Sequence, residues 1–232
     1  MKLPDFFLIG STRCGTSSLY KNLIRHPRIK GAKKEICFFD NHYEKGIEWY
    51  KNQFPDAGPE VSLCDASAMY LFCSQCPKLI HNWFPRTKLI AMLRDPTIRT
   101  WSHFCCNRKK MGPERQNLMQ HNHPVLEWGI YADQLLRWFE YFGREQFLII
   151  RSEDFFKDQG LILSECFKFL GLPDKRFESY EYWDPRKKKE NKGLNEHPKI
   201  SHETEKWLRQ YFLPHNQRLY QLLERDFKWE KS

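Results

Sequence analysis

The residue types best suited to chemistry are gathered in Gly10-x-x-Arg13-Cys14-Gly15-Thr16-Ser17. Its glycines let the backbone curl so that N–H groups converge, a following helix would add its positive dipole end, and Arg13, Thr16 and Ser17 supply further donors. A phosphate fits such a loop. A tight strand-to-helix turn with a cationic surface residue accounts for the pattern, taken alone, equally well. A nucleoside-triphosphatase loop, Gly-x-x-x-x-Gly-Lys-Ser/Thr, needs lysine where this chain has Thr16; here the cation has moved inside the loop, to Arg13.

A second constellation is Leu93-Arg94-Asp95-Pro96, continuing to Ser102. Arg94 stands at the carboxyl end of a predicted strand and Ser102 two turns into the following helix. An arginine and a hydroxyl can together grip a second phosphate. Arg94 could instead pair with Asp95 or Asp65, and Ser102 could simply face solvent.

These residues need a scaffold that brings them to one edge. Phe6–Ile9, Val61–Cys64, Leu89–Leu93 and Phe147–Ile150 are short apolar runs of strand length. Helical spacing follows at Leu19 to Ile24 and recurs over Gln75–Phe84, Pro96–Lys109, Tyr131–Phe142, Leu161–Leu170 and Glu203–Phe227, with a break expected at Pro214. Strands alternating with helices predict an α/β fold of three layers, a central parallel sheet flanked by helices, with ligands at the carboxyl edge of the strands. Two stretches, 112–127 and 182–198, carry prolines and mixed polarity and are expected as loops near that edge.

With 232 residues, 41% of them hydrophobic and 16% aromatic, the chain can bury a real core, and one domain over 1–232 is expected. No apolar run reaches the ~18 residues of a membrane helix, and the first residues do not read as a signal peptide. The 38 Lys and Arg against 29 Asp and Glu leave a charge of +9, which points to an anionic partner without choosing among nucleic acid, membrane, nucleotide and acidic polysaccharide. The eight cysteines form no disulfide framework. Cys73-x-x-Cys76 with Cys105-Cys106 is a poor zinc site, because adjacent cysteines do not easily ligate one tetrahedral ion; buried thiols are expected instead, and no metal is assigned. His121-x-His123 is expected to be an exposed loop pair. The chain has no Asn-x-Ser/Thr sequon.

Gly10–Ser17, Glu35-Ile36-Cys37-Phe38-Phe39-Asp40, Gly46–Tyr50, Leu93–Ser102, Tyr131–Leu135 with Trp138, Phe169–Leu172 and Lys192-Gly193 follow one another in an order that resembles sulfotransferases using 3′-phosphoadenosine 5′-phosphosulfate, PAPS. The resemblance runs from Phe6 to about Trp229 and is nearest the carbohydrate branch, the heparan sulfate 3-O- and N-sulfotransferases and similar bacterial proteins. It implies a P-loop-like fold and sulfuryl transfer from PAPS, leaving 3′-phosphoadenosine 5′-phosphate (PAP). It also implies that Arg13, Cys14, Gly15, Thr16 and Ser17 hold the 5′-phosphosulfate, Arg13 standing where lysine is usual, and that Arg94 and Ser102 hold the 3′-phosphate. Lys192-Gly193 matches the start of a late cofactor loop, and Glu35 the general base. In-line transfer is mostly positioning and charge stabilisation, so Arg13 would be catalytic together with Glu35.

The departures bear on the acceptor. Leu194 replaces an arginine, Ala66 replaces a lysine, Cys37 replaces a histidine, and a hairpin closed by a disulfide is missing, its place taken by the basic run Arg186–Lys189. Asp65, Lys34 and Trp183 remain as acceptor contacts, the acceptor being a carbohydrate hydroxyl or amine, with no nucleic acid partner. The resemblance implies a Golgi lumen location for a eukaryotic chain and the cytoplasm for a bacterial one. The rivals are a polyanion-binding protein without turnover, using Lys33-Lys34, Arg108-Lys109-Lys110 and Arg186–Lys189, and a magnesium-dependent nucleotide phosphotransferase.

Overall fold

A computed structural model describes residues 2–32, 35–107, 118–119, 123–175 and 198–231. Five strands, β1 (Phe6–Gly10), β2 (Ile29–Gly31), β3 (Ser62–Ala66), β4 (Lys88–Leu93) and β5 (Phe147–Arg151), form one sheet in the order β2-β3-β1-β4-β5. Every neighbouring pair is parallel. All five carboxyl ends therefore meet at one edge.

The sheet is covered on both faces, and the sequence of β1 shows why. Phe7 and Ile9 point into one core, Phe6 and Leu8 into another, and all four are fully buried. β4 repeats the alternation, with Leu89, Ala91 and Leu93 on the first side and Ile90 and Met92 on the second. Side chains that alternate between two dry faces need apolar residues at every position, hence the continuous runs. The first face is closed by α3 (Gly46–Lys51), α4 (Cys76–Trp83), α7 (Tyr131–Phe139) and α10 (His202–Leu223), through Tyr50, Ile80, Trp138 and Leu219. The second is closed by α1 (Thr16–Leu23), α8 (Ser152–Lys157) and α9 (Gln159–Leu170), through Leu19, Phe155 and Phe167. Each large side chain removed from water in this way contributes about 1.5–3 kcal/mol. The expected three layers are present.

The structure departs from expectation in three places. Strand β2 went unread because it has three residues and buries only Ile29; pairing of Ile29 with Ser62 and of Gly31 with Cys64 on β3 defines it. Helix α10 runs unbroken through Pro214. Pro214 and Gln210 lie on the exposed face, so water can serve the carbonyl that proline leaves without a donor, while Phe212 and Asn216 anchor the helix on either side. The helix ends at Leu223 rather than Phe227, closed by Glu224 in the left-handed region. In the stretch expected as a loop over 112–127, Pro124–Glu127 is a short helix, α6, capped by His123 and buried through Val125 and Leu126. No described helix is long and apolar enough to cross a membrane.

Candidate active site

The loop between β1 and α1 sits at the carboxyl edge of the central strand. Arg13 (φ 76°) and Gly15 (φ 97°) both adopt the left-handed region, so the chain reverses twice before Thr16 opens α1. For Gly15 no other residue serves, because a Cβ would also come within 2.9 Å of the Phe156 ring. Gly10 has its own constraint: a Cβ there would stand 2.7 Å from the Met92 carbonyl of β4. Left-handed residues on either side of Cys14, whose N–H donates to the Ser11 carbonyl at 3.1 Å, curl the loop at the positive end of a helix, a setting that favours an anion. Arg13 pays strain for this on the order of 1–2 kcal/mol.

Neighbouring elements hold the loop. Ser11 Oγ donates to the Trp128 carbonyl at 3.0 Å, and Thr12 Oγ1 contacts Met69 Sδ at 3.7 Å. Arg94, just beyond β4, donates through Nη1 to the Arg13 carbonyl at 3.0 Å, and the Tyr131 hydroxyl donates to the Arg94 carbonyl at 2.9 Å. Arg13 Nε donates to Ser102 Oγ at 3.0 Å, and Ser102 is buried on α5 (Pro96–Asn107). The structure thus brings Arg13, Arg94 and Ser102 together around one loop. The alternative partners of Arg94 are engaged elsewhere: Asp95 receives the Thr97 N–H and faces Arg209 at 3.7 Å, while Asp65 receives hydroxyls. Cys14 is fully buried, with Sγ 3.7 Å from the Tyr131 hydroxyl, and burial pushes its thiol upward. Cys14 therefore contributes backbone to the loop, not a reactive side chain.

Arg99 was not singled out in the sequence. It is fully buried beneath the loop, where its guanidinium donates to Thr100 Oγ1 at 2.8 Å, to His103 Nδ1 at 3.1 Å and to the Val125 carbonyl, leaving Nε unpaired. Burial, then Arg99 and Arg13, push His103 down to about 4. His103 is therefore neutral at ordinary pH, with Nδ1 as acceptor. The signal available in the sequence was an arginine on the apolar side of a predicted helix.

Glu35 follows β2 and is exposed, near enough to Cys37 for the thiol to approach Oε2 at 3.9 Å. The backbone after it is fixed through Asp65. The Cys37 N–H donates to Ser67 Oγ at 3.2 Å and the Phe38 N–H to the Tyr70 hydroxyl at 2.9 Å. Ser67 and Tyr70 in turn donate to Asp65 at 2.8 and 3.0 Å, joined by Tyr50 at 2.8 Å. Cys37 takes up the left-handed region (φ 53°) to make this connection. Asp65 has no exposed surface, and burial raises its carboxyl to about 6 against the three hydroxyls that lower it. This corrects the expectation of Asp65 as an acceptor contact: it is an anchor below the segment that carries Glu35. Lys34, Trp183, Lys192 and Gly193 lie outside the described residues, as do Lys33, Arg108–Lys110, His121 and Arg186–Lys189.

Asp40, five residues after Glu35, lines a groove of about 530 Å³ together with Phe72, Cys73, Gln134 and Arg137 among others. Asp40 Oδ1, Gln134 Oε1 and Arg137 Nε are buried there without hydrogen-bond partners. Burial raises the Asp40 carboxyl, with Glu35 adding to the effect. Phe72 stacks on Trp128 with ring centroids 4.8 Å apart. Among the described residues no group of three His, Cys, Asp or Glu gathers to hold a metal, and all eight cysteines are free. The expectation that they are mostly buried holds for Cys14, Cys64, Cys76 and Cys166; Cys106 is exposed and the other three are intermediate.

A glycine-turned loop between strand and helix at the carboxyl edge of a parallel sheet, with Arg13 in it and Arg94 and Arg99 behind it, has the architecture of the nucleotide-binding α/β type. The chain matches the family model described as a sulfotransferase domain over residues 3–225, and it belongs to that family. It is 28% identical over 98% of its length to human heparan sulfate glucosamine 3-O-sulfotransferase 5, covering 74% of that protein. It is 31% identical over 96% of its length to the mouse bifunctional heparan sulfate N-deacetylase/N-sulfotransferase 4, covering 30% of that longer chain. A solved sulfotransferase from Alicyclobacillus acidocaldarius has the same fold, with a TM-score of 0.80 over 99% of this chain and 100% of that one, at 24% identity. The protein is thus a sulfotransferase.

Proposed function

We propose that this sulfotransferase acts on a hydroxyl or amine of a carbohydrate, with Glu35 as general base and the loop of Arg13 to Ser17 holding the reacting end of the donor. The observation that carries the reading is the loop itself. Its left-handed turns, the helix start at Thr16 and the guanidinium of Arg13 suit two bridged anionic groups. PAPS, when bound, supplies the sulfuryl group and a phosphate leaving group.

Everything else is done by side chains of this chain. Arg13 and the loop amides stabilise charge that develops on the leaving side, in a setting that needs no reorganisation as it forms. Arg94 and Ser102 flank the loop as candidates for the second phosphate, and buried Arg99 adds positive potential from below. Glu35 takes the proton of the attacking group at its carboxylate, while Asp65, Ser67 and Tyr70 keep the backbone beyond it in register. Lys192 and Gly193 would complete the donor grip, and Lys34 and Trp183 the acceptor side.

The acceptor class rests on the groove lined by Asp40, whose carboxyl feels the charge of Glu35. Its wall sets the hydrogen-bonding side chains of Asp40, Gln134 and Arg137 next to the Phe72 ring, a mixture that suits a ring bearing several hydroxyls. The heparan relatives support the same class and accompany a Golgi-luminal location; residues 1–232 read as one domain. The test is transfer of labelled sulfate from PAPS across a panel of heparan-type oligosaccharides, neutral glycans and simple phenols. Label on a saccharide supports the reading. Label on phenols alone overturns the acceptor class, and binding of polyanions with no transfer to anything overturns the activity.

A further inference from the structure

The short helical turn Ala68–Leu71 leads into Cys73-Ser74-Gln75-Cys76, and Cys76 opens the eight-residue helix α4. Cys73 is half-buried and lines the groove, whereas Cys76 is fully buried. The two cysteines stand three residues apart across the start of this helix, close enough for their thiols to influence each other. The Cys76 contact is the largest cause that draws the Cys73 thiol down to about 6, against burial and the charge of Asp40. Burial, followed by Cys73 itself, pushes Cys76 far the other way. Neither sulfur has a step in the sulfuryl transfer described above, although Cys73 stands in the wall of the same groove.

A half-buried thiol in a groove wall just before a helix start, with a second, fully buried thiol opening that helix three residues on, has the two roles of a disulfide-exchange centre already separated. We propose that Cys73 and Cys76 form a redox-active dithiol in the groove wall, with Cys73 the attacking and Cys76 the resolving sulfur toward low-molecular-weight disulfides. In the first step Cys73 Sγ attacks one sulfur of the small disulfide, the bond between its two sulfurs breaks, and one half leaves and takes a proton from solvent. In the second, Cys76 Sγ attacks Cys73 Sγ, the mixed disulfide breaks, and the other half leaves with the proton that Cys76 gives up. Two cysteines are oxidised by two electrons and one small disulfide is reduced to two thiols.

The test treats the fully reduced chain with glutathione disulfide, quenches with acid, alkylates the remaining thiols and maps the peptides by mass spectrometry. A Cys73–Cys76 disulfide should accumulate before any other modification of the eight cysteines and should disappear with dithiothreitol. Cys76→Ser should trap a glutathione adduct on Cys73 that the parent chain does not retain. In the parent chain, Cys73 should react with iodoacetamide at neutral pH about tenfold faster than an ordinary cysteine peptide, which gives a readout even if the variant fails to fold. A lasting glutathione adduct on Cys73 in the parent chain overturns the proposal. So does oxidation of other cysteines with no link between these two, or alkylation of Cys73 no faster than the peptide.

Discussion

Arg13 Nε donates to Ser102 Oγ at 3.0 Å, so the anion loop after β1 is tied to the second turn of α5 on the neighbouring strand's crossover. From the sequence the two residues were expected at different phosphates of one nucleotide. Their contact means that one bond both aims the guanidinium and joins the two grips. Removing the hydroxyl takes that bond from the Arg13 head. Ser102→Ala should weaken PAP binding about tenfold, in line with the ~1.5–3 kcal/mol of a hydrogen bond to a charged group. Calorimetric titration with PAP checks this.

Arg13 itself should matter more to turnover than to binding. Arg13→Ala is expected to lower kcat by about 10²–10³, the range for loss of one preorganised donor at a leaving or developing anion. Arg13→Lys restores the charge but not the Nε bond to Ser102, so it should fall between the two. Steady-state kinetics at saturating donor separates the three proteins.

Asp65 makes a prediction about stability and pH. Its carboxyl sits near 6 in the folded chain, against 3.8 as the reference value, because burial opposes the charge. A raised value means the folded state holds the proton longer, so the contribution to stability is complete below about 4 and is lost as pH rises through about 6. Asp65→Asn cannot titrate. The unfolding free energy of the parent chain should therefore gain on that of the variant by on the order of 2–3 kcal/mol as pH falls across this window. Denaturant unfolding of both proteins at several pH values measures it; a difference that does not vary with pH contradicts the assignment.

Tyr131 connects α7 to the site, donating to the Arg94 carbonyl and contacting Cys14. Tyr131→Phe keeps the ring in the core and deletes both contacts. It should lower stability by about 1–2 kcal/mol, the cost of leaving a buried acceptor unpaired. The same variant should raise the apparent dissociation constant for PAP, since Arg94 loses the bond that orients its backbone. A thermal melt and the PAP titration report the two effects separately.

What could be read in the sequence was local. The strand-loop-helix at Gly10 to Ser17 shows itself through glycine spacing, an apolar run and a cation within a few residues. The period of β1 and β4 was equally plain, because both faces are dry. Arg99 was hidden: what makes it a buried cation under the loop is the Val125 carbonyl and His103, which tertiary structure alone brings to it. Asp65 looked like a site residue because its hydroxyl partners, Tyr50, Ser67 and Tyr70, are not recognisable as a set until the chain folds. Pro214 was read as a break since its solvent-facing position is a property of packing, not of proline. The basic clusters behind much of the +9 charge fall outside the described residues; among the described ones, Arg13, Arg94 and Arg99 bring positive charge to the loop and Arg137 to the groove.

The central claim is that Glu35, on the segment anchored by Asp65, takes the acceptor's proton during sulfuryl transfer. Substituting Glu35→Gln preserves size and hydrogen bonding while removing the base. Single-turnover transfer of labelled sulfate, measured beside the affinity for PAP, tests it most directly. Transfer is expected to fall about 10²-fold or more, within the range of general-base catalysis, with PAP affinity unchanged within about twofold. Transfer by Glu35→Gln at the parent rate would contradict it.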